Sequence, residues 1–130
     1  MDNKVEITIS SCLSNLALVR SFARVYLEHY DVSDSNKVKL LSVIDELTTN
    51  SVEHGYSYSQ GSIKIVMWIE GEYINISVED FGKGYDENSK SKTDGGIGII
   101  MTKKLVDDFK VLKKQNGTLI TIKKRIREVI

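Results

Sequence analysis

Residues 62 to 80 hold the pattern that most restricts this chain. Ile63, Ile65, Met67 and Ile69 recur at every second position. The turn Glu70-Gly71-Glu72 follows, and then Ile74, Ile76 and Val78 alternate with Asn75, Ser77 and Glu79. A period of two is the period of a β-strand, with successive side chains on opposite faces. Two such runs joined by a short glycine turn read as an antiparallel hairpin with one apolar face. That face needs a covering layer, and the chain supplies it upstream. Leu13, Leu16, Ala17, Val19, Ala23, Tyr26, Leu27 and Tyr30 fall at helical spacing, with Ser10 or Ser11 as the expected cap. A second helix is expected from about Ser35 to Glu53, with Leu40, Leu41, Ile44, Leu47, Thr48 and Ser51 turned inward. His54-Gly55 would end it.

The remaining elements follow the same rules. Val5, Ile7 and Ile9 alternate with Lys4, Glu6 and Thr8 as a half-buried strand. Ile97 to Asp107 reads as a short helix. Phe109 to Lys114 and Thr118 to Lys124 read as strands joined by Gln115-Asn116-Gly117, where Asn-Gly tolerates positive φ. The order β-α-α-β-β-α-β-β predicts an α+β, two-layer sandwich. Its sheet would be mixed or mostly antiparallel, with three main helices on one face. The 130 residues suit a single domain spanning 1–130, without repeats, linkers or proline.

Charge and cysteine usage exclude several roles. Eighteen basic and eighteen acidic residues balance, so no global field draws the chain to nucleic acid or to an acidic membrane. The single Cys12 excludes an internal disulfide framework and a multi-cysteine zinc site. The start of the chain carries no long apolar core, and no apolar run approaches the length that crosses a bilayer. The expectation is a cytoplasmic protein with no membrane contact and no direct nucleic-acid role.

The informative residues are polar ones in the wrong phase. Asp80 continues the period of Ile74, Ile76 and Val78 and so points between sheet and helices. Burying a carboxylate there is costly unless donors meet it. It would otherwise be a loop aspartate that has left the strand, or one capped by backbone amides. Thr118 precedes Ile120 and Ile122 in the same way, although buried threonines are common. Glu46 and Asn50 share a stripe of the second helix at i, i+4, roughly opposite the apolar arc, and His54 extends it. A solvated helix face would explain that stripe equally. Finally, Asp80-Phe81-Gly82-Lys83-Gly84 leaves the strand end, and Gly95-Gly96-Ile97-Gly98 leads into a helix. Glycine allows close backbone approach and a helix start offers free N–H groups to an anion; a plain surface loop is the alternative. Taken together, these residues could hold an exocyclic amine, seat phosphates and supply a base and an oxygen ligand for magnesium.

The combination resembles the GHKL, or Bergerat-fold, ATPase superfamily. Glu46-Leu47-Thr48-Thr49-Asn50 is similar to its N box, and Asp80-Phe81-Gly82-Lys83-Gly84 to its D-x-G-x-G box. Gly95-Gly96-Ile97-Gly98-Ile99 is similar to the second glycine box, and Asn116-Gly117-Thr118 to the terminal G-T element. The stretch from Asp45 through His54-Gly55-Tyr56 further resembles anti-sigma-factor serine kinases, stand-alone domains of about this length.

The resemblance implies an ATP-binding anti-sigma factor and serine/threonine-protein kinase using Mg2+, in most cases a homodimer. It implies that a sigma factor is sequestered, or that a serine of a small STAS-domain antagonist is phosphorylated. Glu46 would be the general base and Asn50 the magnesium ligand. Asp80 would hold the adenine amine with support from Thr118. Gly82 and Gly84 would shape the adenine floor, and Gly95, Gly96, Ile97, Gly98 and Ile99 would offer amides to phosphates. The segment from Tyr85 to Asp94 is short for an ATP lid, with Lys90 and Lys92 but no arginine. That motivates one alternative, an ATP-dependent binding switch without turnover; the same boxes would also serve a second, a stand-alone histidine-kinase-type ATPase domain.

Overall fold

A computed structural model describes residues 2–57, 59–82 and 97–128. The chain runs through β1 (Val5–Ser10), a 3-10 turn (Leu13–Asn15), α1 (Leu16–His29), α2 (Asp34–Asn50) and a π turn (Ser51–Gly55). It continues through β2 (Ser62–Glu70), β3 (Tyr73–Asp80), α3 (Ile97–Leu105), β4 (Asp108–Lys114) and β5 (Gly117–Arg125). The strands form one sheet in the order β1-β2-β3-β5-β4. Every neighbouring pair is antiparallel, so the mixed option drops out and the α+β sandwich stands.

Register follows the alternation. Ile65 faces Val78 and Met67 faces Ile76 across β2 and β3. Val78 in turn faces Ile120 on β5, and Ile76 faces Ile122. These residues share one core with Val19, Ala23 and Leu27 of α1, Leu40, Val43, Ile44 and Leu47 of α2, and Ile99 of α3. The three helices therefore cover one sheet face. Ile76 lies in the central strand and is fully buried. Ile76→Ala should cost about 2–5 kcal/mol, because the cavity it leaves cannot fully collapse between two paired strands. Urea unfolding should show a lower midpoint with an unchanged slope.

The helix ends depart from the local signals. Neither Ser10 nor Ser11 caps α1. The 3-10 turn intervenes, and Asn15 holds the cap position without a side-chain cap bond. Ser11 is used elsewhere, its hydroxyl donating to the Ser59 carbonyl at 2.8 Å. The cap of α2 is Ser33, which accepts from the Asn36 amide. Gly55 does not stop the second helix in a left-handed conformation. The helix widens into the π turn and carries on through Gly55, with the Tyr56 amide bonding the Ser51 carbonyl at 3.0 Å. α3 ends at Leu105 rather than Asp107, whose amide bonds the Lys123 carbonyl.

Candidate functional site

Asp80 is the last residue of β3 and pairs with Ile63 on one side and Thr118 on the other. The period of two carries it inward, and it is 4% exposed. The Ser51 hydroxyl donates to its Oδ2 at 3.2 Å, and the Gly82 amide donates to its Oδ1 at 3.3 Å. Burial pushes the carboxyl above the ordinary carboxylate range. Donation from Gly82, Ser51 and the Thr118 backbone pulls the other way, as does the positive charge of Lys114. Lys114 itself is paired with Glu79 and sits 4.1 Å above the Phe81 ring. Among the described residues no cation lies within ion-pair distance of Asp80. A carboxylate offers about four acceptor positions, and the two hydrogen bonds from described residues leave acceptor capacity over.

Close backbone contacts hold this end of the cleft. A side-chain carbon on Gly55 would lie 2.7 Å from Asp80 Oδ2, and one on Gly82 would lie 2.0 Å from the Gly55 carbonyl oxygen. The π turn and the end of β3 thus meet where no side chain fits. Gly117 adopts φ +119°, and a side-chain carbon there would lie 2.0 Å from the Asp80 carbonyl oxygen. The Tyr56 hydroxyl donates to the Ser62 carbonyl at 2.5 Å and accepts from the Phe81 amide at 2.7 Å. It ties the start of β2 to the residue after Asp80.

The second group lies on α2 and α3. Asn50 is 7% exposed and Glu46 is half-buried one turn earlier. The stripe they share is therefore not a solvated face, because α3 packs against it. The solvent side is taken by Asp45, which pairs with Arg20 at 3.1 Å. The Glu46 carboxylate lies against Gly98, where a side-chain carbon would be 2.0 Å from Oε2. Ile97 opens α3 and Ile99 is buried in the core, so their possible contribution to an anion is through backbone amides alone.

The structure thus gathers Asp80, Gly82 and Thr118 at one end of the sheet, and Glu46, Asn50 and Gly98 along the α2–α3 junction. Gly84, Gly95 and Gly96 lie outside the described residues, as do Lys83, Lys90, Lys92 and the segment from Tyr85 to Asp94. Sequence reasoning missed the contacts of Ser51, Gly55 and Tyr56 with the Asp80 region. The sequence pattern puts Ser51 on the inner face without a role and marks Gly55 as a helix stop. The available signal was the spacing of Ser51 and Gly55, which puts both on one helix face.

No group of three or more His, Cys, Asp or Glu side chains able to hold a metal occurs among the described residues. Asn50 and Glu46 supply oxygen donors only. The Asn50 amide oxygen would suit a hard cation such as Mg2+. No described helix is long and apolar enough to cross a membrane.

The histidine kinase-like ATPase domain family matches residues 9–124. An anti-sigma F factor of Clostridium beijerinckii is 29% identical over 142 residues, covering 98% of this chain and 98% of that relative. One from Clostridium kluyveri is 26% identical over 134 residues, covering 95% and 94%. Among solved structures, the RsbU and RsbW domains of Rv1364c from Mycobacterium tuberculosis superpose with a TM-score of 0.75 at 25% identity. That match covers 94% of this chain and 32% of the other. The histidine kinase domain of the Erythrobacter litoralis EL346 blue-light activated histidine kinase shares the fold, with a TM-score of 0.62 at 18% identity, covering 88% and 60%.

Proposed function

Because this chain belongs to the histidine kinase-like ATPase domain family, we propose that it is an ATP-binding anti-sigma factor that phosphorylates a serine of a STAS-domain antagonist. The observation that carries this reading is the buried Asp80, with protein donors on both oxygens, an acceptor position to spare and no ion-pair partner among the described residues. Such a carboxylate is suited to the amine of a purine. The likeness over nearly the full length of anti-sigma F factors supports the regulatory role.

In this reading Asp80 accepts the adenine amine and Thr118, opposite it in register, supports that contact. Gly82 and Gly84 floor the adenine side, and the amides of Gly95, Gly96, Ile97, Gly98 and Ile99 face the phosphates. Asn50 holds Mg2+ through its amide oxygen. Bound ATP supplies the phosphoryl group, and the cation neutralises charge on its oxygens. Glu46 orients the serine hydroxyl and accepts its proton. A homodimer is supported by Leu18 and Val25, which α1 exposes beside a groove lined by Val5, Phe22, Tyr26 and Tyr30.

The test is titration calorimetry with ATP and Mg2+, followed by incubation with ATP, Mg2+ and a STAS-domain protein. Heat of binding and phosphoserine are expected; absence of ATP binding defeats the whole reading. The short segment between Tyr85 and Asp94 favours one rival, a nucleotide-dependent switch without turnover. That rival predicts partner binding that depends on ATP, with no phosphoserine.

A further inference from the structure

Gly98 stands one residue into α3, inside a helix where alanine is the more stabilising residue. It is not at positive φ, since the positive-φ glycines among the described residues are Gly71 and Gly117. Backbone conformation therefore gives no reason for glycine here. Neighbouring atoms do. A side-chain carbon at 98 would lie 2.0 Å from Glu46 Oε2, 2.2 Å from its Cδ and 2.6 Å from Oε1. All three atoms belong to one carboxylate. The Glu46 head group occupies the volume that any other residue at 98 would fill, beside the positive end of a nine-residue helix. The helix start is fixed in turn by Thr102, 2% exposed, whose hydroxyl donates to the Gly98 carbonyl at 3.0 Å.

We propose that Gly98 is a positioning residue for Glu46: its missing side chain is the slot that holds this carboxylate at the start of α3. The inference rests on the reading of Glu46 as the proton acceptor. It assigns Gly98 a task apart from lending an amide to phosphate. The two tasks separate cleanly, because Gly98→Ala keeps the amide and removes the slot. The obstructed group is the far end of a flexible side chain, so the carboxylate swings aside while α3 and the core remain.

The experiment uses the full chain with ATP, Mg2+ and the STAS-domain substrate. Gly98→Ala should lower the transfer rate at saturating ATP about a hundredfold, the scale expected of a misplaced catalytic group, and by a much larger factor than it weakens ATP binding. In a cycle with Glu46→Gln, the double variant should be no slower than Glu46→Gln alone. In the nucleotide-free protein, the Glu46 carboxyl carbon resonance should move in Gly98→Ala at fixed pH. Additive losses, an affinity that falls in step with the rate, or an unmoved carboxyl resonance would each overturn the proposal. A moved resonance beside a Glu46→Gln protein of undiminished rate overturns it by a different route, since the fault then lies in the role of Glu46 and not in the slot.

Discussion

Asp80→Asn is expected to weaken ATP binding about a hundredfold while making the empty protein more stable. The affinity loss follows from donor and acceptor geometry. In the variant, the amide oxygen can still take the Gly82 N–H, and the amide nitrogen can donate to the Ser51 hydroxyl. The second N–H then faces the purine amine, donor against donor. A hydrogen bond to a charged group is worth about 1.5–3 kcal/mol, roughly one to two powers of ten in affinity. The stability gain follows from burial. The Asp80 carboxyl lies above its ordinary range in the folded state, so the native protein binds that proton more tightly than the unfolded chain does. Its contribution to stability therefore falls as pH rises from about 3.9 through the raised value, and stays reduced at neutral pH. Asparagine does not ionise and escapes that cost. Calorimetry should find little ATP heat. Thermal unfolding of the empty variant should show a higher midpoint near pH 7 and a flatter acid dependence. Undiminished ATP affinity would remove Asp80 from the nucleotide site.

Glu46→Gln is expected to separate binding from chemistry. Glutamine matches glutamate in shape, so the slot beside Gly98 stays filled and ATP affinity should change by no more than a few-fold. It cannot accept a proton at neutral pH, and general-base catalysis contributes about 10²- to 10⁴-fold. Single-turnover transfer to the STAS-domain serine should slow by that range. A variant that transfers as fast as wild type would exclude Glu46 as the base. A wild type that never transfers but still binds partners only with ATP would favour the switch.

The sheet and its helices were legible because they rest on periodicity. Ile63 to Val78 announce both the hairpin and the buried face, and the same phase places Asp80 and Thr118 inward. What could not be read was contact between segments distant in the chain. Glu46 lay opposite the apolar arc of its own helix, and only α3 packing across that flank turns it from a surface residue into a cleft residue. Gly55 carried the mark of a helix stop, yet it is glycine because the Asp80 carboxylate lies against its Cα. The π turn is a local widening that no periodicity of 3.6 anticipates, and it sets Ser51 beside Asp80. The α1 cap failed because a 3-10 turn stands between Ser11 and the helix, leaving Asn15 at the cap position.

The strand order has a consequence for how such a protein is made. β5 lies between β3 and β4, so the wall that sets Thr118 beside Asp80 closes only after β4 has already emerged. Until β5 pairs, β1 to β3 and the first two helices stand without that wall. A nucleotide can reward the finished domain but cannot template the growing one. Small molecules that rescue misfolded variants through this cleft would therefore act only once β5 has paired with β3.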